Sequence, residues 1–216
     1  MKKRILSMLT FIMMAAFLVA CSGDNSNTSD EAATQESTTQ ESTSQESTSQ
    51  DGAGAEATAT DSVAILNDVW STYGEDEKFY AMGGDMNNPV DNAPGLYSLA
   101  DAEAIGATLL VPADTLGLID EAASLIHGMN TNIFTGAAFH LADPADMQQF
   151  TESMKESILN NQWMCGSPDQ YVIYSVNDEY VVTAFGAVDV MKTFKEKFTT
   201  VHGDNAEVLV EENVAQ

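Results

Sequence analysis

The sequence predicts an α+β domain: an antiparallel sheet with helices packed on one face, set behind a low-complexity N-terminal stretch. Three observations carry this. Tyr171 to Val176 and Tyr180 to Phe185 are two apolar, β-branched runs separated by Asn177-Asp178-Glu179, which reads as a hairpin. The order of elements around it is strand, helix, hairpin, helix, strand, and an antiparallel sheet carrying helices is the layer architecture that this order suits. No Gly-x-Gly-x-x-Gly follows a strand, so nothing favours a parallel dinucleotide-binding sheet.

Asp61 is placed to cap a helix whose apolar positions Ile65, Leu66, Val69, Trp70 and Tyr73 recur at helical spacing, with Gly74 as the stop. Residues 74 to 97 read as a long loop, broken by Gly83-Gly84, Asn87-Asn88-Pro89 and Ala93-Pro94-Gly95. A short helix follows Ser98. Residues 118 to 129 stay ambiguous between helix and a strand turning at Asn130-Thr131. Ile133 to Leu141 is a strand. Asp143-Pro144 opens a helix, with Asp at the cap, Pro at the first position and Asp146 in the first turn; Met147, Phe150, Met154 and Ile158 form its stripe. Val190, Met191, Phe194, Phe198 and Val201 mark a last helix closed by Gly203, and Ala206 to Val210 a short final strand.

The chain begins as a secretory signal does. Lys2, Lys3 and Arg4 precede an uncharged run from Ile5 to Ala20, shorter than the roughly 20 residues a helix needs to span a bilayer. Leu18-Val19-Ala20-Cys21 resembles the bacterial lipobox, whose cysteine receives a diacylglyceryl group before cleavage ahead of it. The resemblance implies residues 1–20 as signal peptide and a lipid bilayer as partner through diacylglyceryl on Cys21. Two acyl chains hold a protein stably where one does not.

Residues 21–60 are expected to form a lipid-anchored, disordered Ser/Thr/Gln/Glu stalk. From 22 to 60 there is no Leu, Ile, Val, Met or aromatic residue, and a Thr/Ser-Gln-Glu-Ser-Thr unit repeats from Thr34, Thr39 and Ser44. Such a stretch has no apolar area to offset the entropy of ordering.

Residues 61–216 are the expected globular domain. They hold 25 acidic residues against five lysines, a formal charge of −20, and no arginine. Nucleic-acid binding depends on cations neutralising phosphates, so that function class is excluded. After processing, Cys165 is the one cysteine without lipid, and no intramolecular disulfide is possible.

Met129-Asn130-Thr131-Asn132-Ile133-Phe134-Thr135-Gly136, Gln162-Trp163-Met164-Cys165-Gly166 and Val181-Val182-Thr183-Ala184-Phe185-Gly186 together resemble uncharacterised lipoproteins of Gram-positive anaerobes. Those carry a C-terminal domain of unknown function after a low-complexity stalk. The likeness covers roughly residues 63 to 212 and implies the architecture above, with no activity attached.

Motifs for chemistry are sparse. Gly-x-Ser-x-Gly, His-Glu-x-x-His and paired Cys-x-x-Cys are absent from the sequence. Cys165 with His127, His140 or His202 would be the raw material of a cysteine hydrolase. A strand at 118 to 129 paired with 132 to 141 would bring His127 towards His140 as a metal pair. Asp85, Asn87 and Asp91 alternate like calcium ligands, without the bidentate Glu or central Gly of an EF-hand. No residue is assigned as catalytic, cofactor-binding or metal-ligating; Cys21 is the lipidation site. Trp163 and Cys165 are expected to face inward between helix and sheet. The leading expectation is an extracytoplasmic, membrane-anchored binding or envelope-accessory domain that is not an enzyme, its partner a small ligand or an envelope protein. The alternatives are an enzyme using Cys165 or a histidine cluster, and a calcium-stabilised binding module. The Cys21→Ser chain is expected to lose its diacylglyceryl mass and its partition into detergent. An unmodified mature N-terminus beyond residue 21 in the parent would refute the lipid anchor.

Overall fold

The structure is a computed structural model that describes residues 61–129, 133–164 and 166–214. The signal, Cys21 and the stalk, the turn at Asn130-Thr131, and Cys165 lie outside the described residues. No described helix is long and apolar enough to cross a membrane.

Helix α1 (Ser62–Ser71) starts where Asp61 accepts the Ala64 N–H at 2.6 Å, and Thr72 and Gly74 lead the chain away. The segment read as a loop instead contains three short strands, β1 (Ala81–Asp85), β2 (Asn88–Asp91) and β3 (Gly95–Leu96). The glycines that suggested a loop are there because backbones cross. A Cβ on Gly83 would stand 2.3 Å from Gly95 N, and one on Gly95 would stand 2.6 Å from Gly84 N. Gly84 also has φ +74°, the left-handed region that favours glycine.

Helix α2 (Ala102–Leu109) is capped by Asp101, whose carboxylate accepts the N–H groups of Glu103 and Ala104. The ambiguous stretch is a strand, β4 (Ile119–His127), and β5 (Phe134–Leu141) follows. Asp143 accepts the Ala145 N–H, and a single 3-10 turn from Pro144 to Asp146 leads into helix α3 (Met147–Asn160). Strands β6 (Gln170–Val176) and β7 (Tyr180–Gly186) form the expected hairpin. Asn177 and Asp178 both take positive φ, which their short polar side chains tolerate. Helix α4 (Val188–His202) has no cap of its own; Asp169, from the loop before β6, accepts the Val188 N–H at 3.0 Å. Strand β8 (Ala206–Asn213) runs past the expected end at Val210.

All pairings are antiparallel, in the order β2-β1-β4-β5-β7-β6-β8, with β3 pairing β4 beyond the end of β1. The α+β class and the antiparallel sheet are as expected. The helices are not confined to one face. Ile65, Leu66, Val69 and Trp70 of α1 and Met191, Phe194 and Phe198 of α4 pack on Phe134, Ala138, Val172, Tyr174 and Val182. Ile105 and Leu109 of α2 and Phe150, Met154 and Ile158 of α3 pack on Ala137, Phe139, Leu141, Tyr171, Ile173 and Val181. Successive strand residues belong to opposite cores, as the two-residue strand period requires.

The reason is visible in β5, β6 and β7, which are apolar at both parities. A sheet of that composition leaves a hydrophobic face in water unless each side is covered. Phe139→Ala on the α3 side and Phe194→Ala in α4 on the other side, both 0 % exposed, are each expected to lower unfolding free energy by about 3–5 kcal/mol in urea. If either loss stays below 1 kcal/mol, that face is not a core.

Candidate functional site

The three histidines lie apart. β4 and β5 do pair, but antiparallel, so His127 near one end of the ladder and His140 near the other are carried away from each other. His127 stacks on Phe79, with ring centroids 4.6 Å apart, and its Nδ1 accepts the Met129 N–H; burial holds its pKa below the ordinary histidine value. His140 is bonded through Nδ1 to the Asp120 carboxylate and lies against Tyr180. His202 is buried at the end of α4, with Nε2 3.0 Å from the Ile65 carbonyl oxygen. Each ring is engaged in a local structural contact. Among the described residues no group of three or more His, Cys, Asp or Glu is arranged to hold a metal ion.

The acidic loop is organised around Asp85. Its Oδ1 accepts the N–H groups of Asn87 at 2.7 Å and Asn88 at 3.0 Å, and its Oδ2 accepts the Ser98 N–H at 3.1 Å. These bonds, the Asn87 N–H foremost, hold its carboxyl below the usual range. Both oxygens that a calcium ion would use thus point at backbone donors. Asp91 receives the Tyr80 hydroxyl, and Pro89 sits in β2. Asp85 ties the β1–β2 turn to the chain leaving β3.

Trp163 is half-buried and packs on Phe185 at 5.4 Å, inward as expected, with its indole N–H unbonded among the described residues. Met164 is 92 % exposed, so the Trp-Met pair does not enter the core together.

Beside the Asp85 turn, on the α2 side of the sheet, lies an apolar recess of about 210 Å³. Met82, Met86, Pro89, Tyr97, Thr108 and Ile126 surround it, with the Gly83-Gly84 backbone in its wall. Tyr97 is held in place by its hydroxyl, which donates to the Ala104 carbonyl, and Ser124 Oγ donates to the Gly84 carbonyl. The walls are therefore built on locked backbone, while Met86 is 86 % exposed at the rim. Methionine is flexible and polarisable, suited to closing on varied apolar shapes. The sequence reading missed these residues because glycines and prolines hid the strands that present them. The alternation of Ala81-Met82-Gly83 was too short a signal.

The second concave surface runs along β8, which has β6 on one side and, among the described residues, no strand on the other. Helices α3 and α4 flank it. Lys155 of α3 is 2.7 Å from Glu212, which also accepts the Tyr171 hydroxyl; Lys195 of α4 is 2.8 Å from Glu211. The Lys155 ammonium, then the Tyr171 hydroxyl, lower the Glu212 pKa, and burial, then the Glu212 carboxylate, raise that of Tyr171. No family model matches the chain, and no curated protein or solved structure matches it.

Asp85 and Glu212 both have depressed pKa values in the folded chain, so their stabilisation is complete above the unfolded carboxylate pKa of about 4 and is lost as pH falls through the lower folded values. Asp85→Asn is expected to lower the urea midpoint at pH 7 and to flatten its fall between pH 5 and 2. An unchanged pH dependence in the variant would show that the carboxylate bonds contribute nothing.

Proposed function

We propose that this chain is a lipoprotein held on the extracytoplasmic face of a cell membrane by diacylglyceryl on Cys21, and that its domain binds rather than catalyses. The ligand is a small apolar molecule or an apolar side chain of an envelope protein. One observation carries the reading: the recess between the β1–β2 hairpin and α2, apolar, concave and bounded by Met82, Met86, Tyr97 and Ile126. A formed apolar recess with a few fixed polar groups is the usual form of a small-ligand site. At about 210 Å³ it suits a single ring or a short aliphatic chain. The groups nearest to it, Asp85 and Tyr97, are occupied with backbone partners and hold shape.

The test uses the mature chain in neutral phosphatidylcholine nanodiscs, with methionine methyls isotopically labelled and 1-hexanol as probe. The Met82 and Met86 methyl signals are expected to shift saturably, while Met164, exposed like Met86 but elsewhere, does not move. Ile126→Lys is expected to weaken the response about tenfold, since a charge enters an apolar wall. Equal shifts at all three methionines, or none at Met82, would remove the recess as a binding site.

A further inference from the structure

The two edges of the sheet differ. β2 is four residues long, fully exposed and interrupted by Pro89, features that blunt an edge against further pairing. β8 is eight residues long and contains no proline. A register shift opposite Ile173/Tyr174 turns Leu209 and Val210 both towards α3, while Val208 and Glu211 face α4. Grooves therefore open on both sides of the strand. One lies between β8 and Met147, Thr151 and Glu152 of α3, the other between β8 and Lys195, Glu196 and Thr199 of α4. In the first, the hydroxyl of Thr151 is buried with no hydrogen-bond partner among the described residues, in a side chain only 8 % exposed.

Charge decides what fits. Lys155 and Lys195, the cations in these walls, are already bonded to Glu212 and Glu211 of β8. Exposed Glu152 and Glu196 remain beside the strand and exposed Glu207 on it, in a domain of formal charge −20. A second copy pairing here would bring a strand bearing the same three glutamates, Glu207, Glu211 and Glu212, alongside this one, and an anionic surface would be repelled likewise.

We propose that β8 receives an extended, Lys/Arg-bearing segment of another protein as an added strand. Main-chain bonds to the free edge supply affinity. Alternate side chains of the added strand enter the two grooves, where Glu152 and Glu196 select cations and Thr151 gains a partner. This site rests on β8 and stands independently of the recess.

The probe is a fluorescent eight-residue peptide of repeated Lys-Lys-Val-Val, which presents lysines on both faces of a strand, titrated by anisotropy against the mature chain in neutral phosphatidylcholine nanodiscs. Saturable binding that weakens with salt is expected, with no binding of the matching Glu/Val peptide. N-methylation of the central amides, which keeps charge but removes donors, is expected to abolish binding. The Glu152→Lys/Glu196→Lys/Glu207→Lys chain is expected to bind about tenfold more weakly, with an unchanged circular dichroism spectrum and with hexanol still shifting Met82. The proposal is overturned if the N-methylated peptide binds equally well, which would mean bulk charge attraction. It is overturned also if the triple variant keeps full affinity, or if the Lys/Val peptide does not bind.

Discussion

The central strands are apolar on both sides, and the rest of the fold follows from having to cover them. Val172, Tyr174 and Val176 point to one core while Tyr171 and Ile173 point to the other, all within 4 % exposure. A single helical layer would leave one set in water, at about 25 cal/mol per Å² of apolar surface. The chain meets this by sending α3 over one face and α4 over the other, on either side of the same hairpin. The remaining helices, α1 and α2, extend the two layers over β4 and β5. Position in the sheet then determines what is left over: β2 and β8 are its two edge strands, and the concave surfaces lie beside them.

Elements with strong local signals were legible from residue types. Asp61 and Asp143 accept N–H bonds at the helix starts they marked, and the Asn177-Asp178 turn closes its hairpin. Two readings failed where tertiary contact overrides local pattern. Gly83, Gly84 and Gly95 looked like loop breakers because glycine's usual meaning is conformational freedom; here two of the three are needed chiefly for close approach of backbones. Helices were assigned to one face because the hairpin was read as a unit rather than residue by residue. Val181-Val182 and Tyr171-Val172-Ile173 are consecutive apolar residues, and consecutive means both faces. Of the sites, the histidine pair fails on hairpin geometry: a connection as short as that between β4 and β5 forces them antiparallel, which sets His127 and His140 at opposite ends of the ladder. The β8 grooves depend on a bulge at Leu209, and Glu211-Glu212-Asn213 offered no apolar alternation to mark the strand's continuation.

The allocation of lysines shows how so acidic a domain is held together. Of five, Lys155 and Lys195 fasten β8 to α3 and α4, Lys197 pairs with Glu77 at 2.6 Å and lies near the Tyr73 ring, and Lys78 pairs with Glu75. Exposed pairs of this kind contribute little singly. Their placement matters more, since three join elements distant in sequence. Glu77, lowered in pKa first by the Lys197 ammonium and then by the Gly74 N–H, fixes the chain leaving α1 against α4. Four of the five lysines are thus paired within the domain, with Lys192 the exposed exception, so the outer surface is left largely to carboxylates.

That partition bears on how the two sheet edges oppose self-pairing. An unpaired strand is a template for any chain with donors and acceptors, and proteins guard such edges with proline, brevity, bulges or charge. β2 uses the first two, which exclude every partner. β8 uses a bulge and glutamates, and like charges repel only like. An edge guarded by geometry is closed; an edge guarded by one sign of charge discriminates, because the same carboxylates that oppose self-pairing attract cations. The recess near β2 and the edge at β8 are thus separated by the width of the sheet and by chemistry, apolar at one end and anionic at the other. A domain so built carries two unlike surfaces, and a group held at one leaves the other uncovered.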